Sequence, residues 1–230
     1  MTKHNGESGN VIMFVFLAIA LLAALSFAVS QGGRGSTDSL SSDRQRLTAT
    51  EIIDYGNAVA EAVTQLRLRG TKLEDLRFSY TDVSETDYGT YGHDPRNEIF
   101  NPNGGGIIYK KPPELAMDDP STAQYQFINR NGVKGIGTTC SDKRCSDLLM
   151  VAAGMKESVC KAVNKQLGVE NPNDAPPVES DIEGNGFFKG TFTYSETVGD
   201  DDPVLDGVKE ACVYEENEKQ YTYYKVLIAR

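Results

Sequence analysis

Hydrophobic residues form one long run near the amino terminus. Residues 11–29 carry no charge and a single polar side chain, Ser26. A spanning helix needs about 17–25 apolar residues, whereas a secretory signal has an apolar region of about 7–15. The pattern therefore predicts a transmembrane or assembly helix over residues 10–30. Two stretches, Ser26-Phe27-Ala28 and Ala28-Val29-Ser30, also match small-residue cleavage sites, so a cleaved soluble form is the alternative.

A joint and an amphipathic helix are predicted next. Residues 31–36 contain three glycines, each of which costs a helix about 1 kcal/mol, and this favours a flexible joint. Apolar side chains then recur at a spacing of about 3.6 residues until Gly70, which is typical of a helix with one buried face. That face comprises Leu40, Leu47, Ile52, Val59, Val63 and Leu66.

The remainder of the chain predicts an α+β domain over residues 37–230. Residues 71–139 are rich in turn formers, with short strands expected at 76–80, 106–109 and 125–128. A second helix is expected from Cys145 to Leu167. Strand signals follow at 186–194, 210–215 and 220–229, and the last two are expected to pair as an antiparallel hairpin. Helices first and strands last predict helices packed on a carboxy-terminal antiparallel sheet.

The net charge of the chain argues against nucleic-acid binding, and its length fits a single domain. The 230 residues carry a net charge of −10, and the 23 Lys and Arg residues are scattered. No basic stripe could therefore neutralise a row of phosphates, and nucleic-acid binding is not expected. The length beyond the apolar run fits one domain.

The four cysteines, Cys140, Cys145, Cys160 and Cys212, all lie beyond the apolar run. An even number without a C-x-x-C pair predicts two disulfides in an exported domain. Three pairings are possible, and the local one, Cys140 with Cys145 and Cys160 with Cys212, is geometrically the simplest; reduced buried thiols are the alternative.

The same cysteines indicate on which side of the membrane the carboxy-terminal part of the chain lies. The count of positive charges on either side of the run favours a cytoplasmic carboxy-terminal part, because Arg34, Arg44 and Arg46 outnumber Lys3. Disulfides need an oxidising compartment and favour the opposite topology. We expect a single-pass membrane protein with its carboxy-terminal domain outside the cytoplasm.

The amino-terminal region resembles the signal of type IV pilins and of type II secretion pseudopilins. A short polar leader, residues 1–9, ends in Gly9 and leads directly into the apolar helix. The resemblance implies cleavage between Gly9 and Asn10, packing of the apolar helices in a filament, and partners among other pilin-like subunits or the assembly machinery. The chain has Phe14 where most of the family has a glutamate.

Chemistry-bearing motifs are few. His93 beside Asp94 lies in a turn-rich segment without a nucleophile motif, so no enzymatic activity is expected. Asp200, Asp201, Asp202 and Asp206 form the densest carboxylate group, and Ca²⁺ accepts such oxygen ligands. No other cofactor is expected. The leading hypothesis is a structural or minor pilin-like subunit; the alternatives are a membrane-anchored binding or sensing module and, last, a secreted hydrolase.

Overall fold

The computed structural model describes residues 9–137, 146–180, 182, 184 and 186–230, with side chains from residue 13 to 27 and from 41 onward. The chain divides into two compact units, Met1–Arg44 and Gln45–Arg230. The helices are α1 (Gly9–Leu68), α2 (Glu85–Tyr88) and α3 (Glu157–Leu167), with short 3-10 turns at Leu73–Asp75, Glu114–Ala116, Pro172–Asp174 and Pro203–Leu205. The strands are β1 (Gln126–Ile128), β2 (Asn131–Val133), β3 (Leu148–Met155), β4 (Val178–Glu179), β5 (Glu196–Val198), β6 (Glu210–Glu215) and β7 (Gln220–Ile228).

The backbone of α1 continues through the glycine-rich segment. Residues 31–36 were expected to interrupt the helix, but they lie inside α1. Glycine lowers helix propensity without forbidding helical φ and ψ, and no proline stands there to remove a hydrogen bond. The boundary between the two compact units falls after Arg44, later than the predicted joint. The flexible joint expected at residues 31–36 stays a prediction.

Five strands form the main sheet in the order β1-β3-β7-β6-β4. The predicted hairpin is confirmed, since β6 and β7 pair antiparallel with Glu215 opposite Gln220. The sheet is mixed and not purely antiparallel, because β4 runs parallel to β6. A second, parallel pair joins β2 to β5. The protein is therefore α+β with helices packed on a mixed sheet.

The two faces of the main sheet are covered differently. Ile52, Val59 and Val63 of α1 share one apolar core with Met150 of β3 and Tyr223 of β7. The opposite face contributes Leu149, Val151 and Tyr224 to a second core, which includes Val133 of β2 and Val198 of β5. Alternate residues of β3 and β7 thus enter different cores, as the pleat of a strand requires.

The predicted helix 145–167 is wrong in its first half. Residues 148–155 form β3, the strand between β1 and β7, and the helix begins only at Glu157. A strand buried on both faces reads as a continuous apolar run, and over eight residues it cannot be told from a buried helix by periodicity. Gly154, with φ +77°, marks the irregular pairing near the end of the strand.

Three other predicted strands do not form as strands. Within the described residues, the segment 76–80 contributes only an isolated bridge between Arg77 and Glu98, and 106–109 pairs with no strand. The segment 186–194 likewise contributes a single bridge, between Phe187 and Ile128. Side-chain hydrogen bonds hold this region instead: the buried carboxylate of Glu98 accepts from the backbone N–H of Gly92 at 2.7 Å.

A buried ionic network joins α1 to the sheet. Lys225 of β7 forms an ion pair with Glu210 of β6 and donates to Oδ1 of Asn57 at 2.8 Å. The hydroxyl of Tyr223 donates to the same glutamate at 2.7 Å. Gly56 allows this approach, since a Cβ there would lie 2.6 Å from the Tyr223 oxygen. Here α1 meets β7 through polar groups that satisfy one another.

Candidate functional site

Three carboxylates converge at one end of the main sheet. Glu179 ends β4, and Asp200 and Asp201 follow β5 after Gly199. One oxygen from each of the three side chains lies within 4.8 Å of the others. Because hard cations such as Ca²⁺ prefer carboxylate oxygens, this group is the candidate cation site.

The local backbone fixes the buried member of the group. The side chain of Glu179 is 0% exposed. Its Oε2 accepts from the backbone N–H of Gly199 at 2.5 Å, and its Oε1 accepts from that of Ser180 at 3.1 Å. Gly199 has φ +92°, a conformation that glycine adopts without strain. The turn after β5 is thereby tied to the end of β4.

The two exposed members differ in their contacts. Asp201 accepts through Oδ2 from the backbone N–H of Ser180 at 2.9 Å and from the hydroxyl of the same residue. Asp200 is exposed and completes the group of three. The arrangement offers a cation one oxygen from each of three carboxylates, from two segments of the chain, whereas Ca²⁺ usually takes six to eight oxygens.

The surroundings of Glu179 raise the pKa of its carboxyl group. Burial is the main cause that raises the pKa of Glu179, to about 7, and the charges of Asp201 and Asp200 raise it further against the opposing backbone donors. At pH values above 7 the site therefore gathers three negative charges, which a bound divalent cation would offset. A cation would in turn lower the pKa of Glu179.

The four aspartates predicted to bind calcium do not all lie together in the structure. Asp200 and Asp201 belong to the carboxylate group. Asp202 accepts through Oδ1 from the backbone N–H of Val204 at 3.0 Å and caps the turn Pro203–Leu205. Asp206 lies 3.7 Å from the ammonium of Lys134 in an exposed ion pair. Neither Asp202 nor Asp206 belongs to the group of three carboxylates, and calcium binding by the four aspartates stays a prediction.

Sequence reasoning missed Glu179. It precedes the aspartates by about twenty residues and stands in a polar connector without any ligand motif. The hydrogen bonds from Gly199 to Glu179 and from Ser180 to Asp201 hold these residues together, and the two-residue strand β4 leaves no periodic signal.

One predicted disulfide lies in the described part of the chain. Cys160 of α3 is bonded to Cys212 of β6, which agrees with the simplest pairing. Cys140 and Cys145 lie outside the described residues. Asn164, one turn after Cys160, accepts from the backbone N–H of Cys212 at 2.8 Å and donates to its carbonyl at 2.7 Å. A covalent bond and two hydrogen bonds therefore hold α3 against the same residue of β6.

The predicted processing residues lie at the start of α1, which begins at Gly9. The side chain of Asn10 lies outside those that the structure describes, as do the side chains of residues 11, 12, 28 and 29 of the apolar run. From residue 13 to 27 every described side chain is exposed. Within the described residues, no helix has both the length and the apolarity that crossing a membrane requires.

The fold defines the class of the protein as α+β, with helices on a mixed sheet and a disulfide between helix and sheet. Comparison of the chain with protein-family models, with curated proteins and with solved structures finds no match. Its function must therefore be argued from its own residues.

Proposed function

We propose that this chain is a non-enzymatic, pilin-like envelope protein, a structural or minor subunit of a type IV pilus or secretion pseudopilus. In this proposal residues 11–29 form a single-pass helix that holds the precursor in the bacterial inner membrane. Cleavage after Gly9 then frees the helix to pack among the helices of neighbouring subunits. The carboxy-terminal domain lies in the periplasm or outside the cell.

The observation that supports this most strongly is the exposed apolar stretch of α1. Successive residues of a helix are rotated by about 100°, so the five residues from Met13 to Leu17 point to every side. All five are exposed, Phe16 to 68%. A helix that is apolar all round is stable only inside a protein assembly or a membrane.

The energy available from covering this stretch is large. Ten large apolar side chains between Met13 and Phe27 are exposed. Moving a fully exposed side chain of this kind from water to apolar surroundings gains about 1.5–3 kcal/mol, so ten of them supply at most about 15–30 kcal/mol. Lipid and neighbouring apolar helices both satisfy this requirement, which is why transfer from bilayer to filament is energetically feasible.

The disulfide supports export. A bond between Cys160 and Cys212 forms and persists in oxidising compartments and is rare in the cytosol. Both sulfurs lie in the core that α1 shares with the sheet. This favours a carboxy-terminal domain on the outer side of the inner membrane.

A cavity on the face of the main sheet opposite α1 favours a second function. The alternative is a single-pass, membrane-anchored binding or sensing module that does not assemble into a filament. A cavity of about 450 Å³, lined by polar and acidic side chains, is large enough for a small ligand.

Photo-crosslinking in native membranes separates the two proposals. A photoreactive amino acid would replace Phe16 in one variant and Leu47, which is 71% exposed on the other compact unit, in the control. Assembly predicts a ladder of crosslinked multimers from position 16 that is stronger than from position 47. A monomeric anchor predicts lipid adducts at position 16 and no ladder, and that result would contradict the assembly proposal.

A further inference from the structure

The buried ionic network between α1 and the main sheet holds a lysine amine against a side-chain amide. Nζ of Lys225 lies 2.8 Å from Oδ1 of Asn57. A carbonyl carbon lies about 1.2 Å from its oxygen, so the amine nitrogen is at most about 4 Å from Cγ of Asn57. Atoms that are ready to react lie about 3–3.5 Å apart. A nucleophile and an acyl group of the same chain are therefore held close to reacting distance.

Backbone packing directs the lysine to this amide. Lys225 lies on β7, opposite Glu210 of β6 and Met150 of β3. A Cβ on Gly56 would lie 2.9 Å from Cδ of Lys225, so the glycine lets the lysine stem pass close to the backbone of α1. The amine consequently ends beside the next residue of the helix, Asn57.

Glu210 is placed to carry protons for a reaction between the amine and the amide. Its Oε2 forms the ion pair with Nζ of Lys225, and its Oε1 accepts from the Tyr223 hydroxyl at 2.7 Å. Burial raises the pKa of Tyr223, so this hydroxyl stays protonated and keeps the carboxylate oriented. The oxygen that faces the amine is the one that the tyrosine does not use, and it can take up a proton from the ammonium.

Burial lowers the cost of moving that proton. The side chains of Lys225 and Glu210 are 9% and 12% exposed. Burial disfavours charged groups, and a proton that passes from the ammonium to the carboxylate leaves a neutral amine and a carboxylic acid. The ion pair of Lys161 with Asp174 offers no such environment, since its carboxylate is 88% exposed. Because only the neutral amine is a nucleophile, the buried pair favours the reactive form.

We propose that Lys225 and Asn57 join through an isopeptide bond, with Glu210 as the general base and acid. Glu210 takes a proton from the ammonium, and Nζ adds to Cγ of Asn57. The carboxylic acid then gives a proton to Nδ2, the bond from Cγ to Nδ2 breaks, and ammonia leaves. The extra proton on Nζ passes through the same carboxylate to the ammonia. One ammonium group is consumed and one ammonium ion is released, so no oxidant or further reactant is needed.

The bond ties α1 to the sheet covalently. It joins residues 168 positions apart, and both belong to the compact unit Gln45–Arg230. The inference therefore does not rest on filament assembly or on cleavage after Gly9. It adds a crosslink that reducing agents do not break to a unit that already holds the disulfide between Cys160 and Cys212.

Peptide mapping of the full-length protein, purified in nonionic detergent, tests the inference. Trypsin cuts after arginine and lysine, so the reduced protein should yield residues 47–67 joined to residues 220–230, without a cut after Lys225. The joined pair should weigh one ammonia molecule less than the two peptides together, and fragmentation should place the bond between Asn57 and Lys225. Separate peptides, with trypsin cutting after Lys225, would overturn the inference.

Variants separate the roles of the three side chains. N57A keeps the buried ion pair, and K225R keeps its charge; both should abolish the joined peptide. E210Q should lower the fraction of joined peptide at least about tenfold, since a positioned general acid and base contributes about 100- to 10,000-fold in rate. E157Q removes a carboxylate 3.8 Å from the ammonium of Lys161, outside the network, and as the control it should leave the fraction unchanged.

The disulfide between Cys160 and Cys212, read from an unreduced digest of each variant, reports that the fold is intact. A folded E210Q variant with the native fraction of joined peptide would overturn the role of Glu210. A joined peptide in N57A would place the bond elsewhere and overturn the pairing. Asn57 found as aspartate, with Lys225 unmodified, would show that water reacts in place of the amine and would also overturn the inference.

Discussion

The disulfide between Cys160 and Cys212 should account for a large part of the stability of the carboxy-terminal unit. The bonded residues are 52 positions apart. By the loop-entropy relation, a crosslink over that distance stabilises the fold by about 4 kcal/mol, out of the 5–15 kcal/mol typical of a domain. C160A/C212A should therefore lower the free energy of unfolding by about 4 kcal/mol.

Denaturant unfolding of the full-length protein in detergent measures this change. Tyrosine fluorescence is the signal, since the chain has 11 tyrosines and no tryptophan. C140A/C145A is the comparison, and if those two cysteines pair with each other their much shorter loop predicts a loss of about 2 kcal/mol. A loss below about 1 kcal/mol in C160A/C212A would show that the crosslink does not restrict the unfolded chain as reasoned here.

Four further predictions concern packing, pH and metal binding. N164L should cost about 2–4 kcal/mol in denaturant unfolding, because a backbone donor and a backbone acceptor of β6 lose their partner; an unchanged midpoint would argue against that role. G56A should lower stability by about 1–2 kcal/mol, because the added methyl meets the Tyr223 hydroxyl at 2.6 Å; a gain, as for a glycine with free space, would contradict the close approach. The raised pKa of Glu179, about 7, means that its contribution to stability is complete below about pH 4.5 and is lost as pH rises through 7. D200N should flatten that profile in unfolding measured from pH 4.5 to 8, and an identical profile would refute the coupling. Calorimetric Ca²⁺ titration should show binding that weakens below pH 7 as Glu179 takes up its proton, and no heat at pH 8 would rule out the site.

Local sequence signals predicted the elements whose pattern is unambiguous. The apolar spacing of Ile52, Val59, Val63 and Leu66 identified the buried face of α1, although Leu47 of the same series is exposed. The hairpin of β6 and β7 followed from two strand-like runs joined by a short polar turn, and its bounds lie within one residue of those expected.

Elements defined by distant pairing could not be predicted in the same way. The run LLMVAAGM is apolar on both faces because β3 is a central strand whose alternate residues enter the two different cores, and only that tertiary packing distinguishes it from a helix. β4 has two residues, so its parallel pairing with β6 has no local signature.

The same limit applies to the sites. Asp200 and Asp201 were predicted because they are adjacent in sequence. Glu179 is distant in sequence and lies beside them only in the folded chain. Composition and spacing therefore found the residues that lie together along the chain, but not those that the sheet brings together.

The mature amino terminus of the native protein, determined by mass spectrometry of the membrane fraction, tests the central proposal most directly. Processing of the prepilin type predicts a chain that begins at Asn10, so that the apolar stretch of α1 forms the new amino terminus. A chain that begins at Met1 or Thr2 would contradict the assembly proposal and leave a plain membrane anchor.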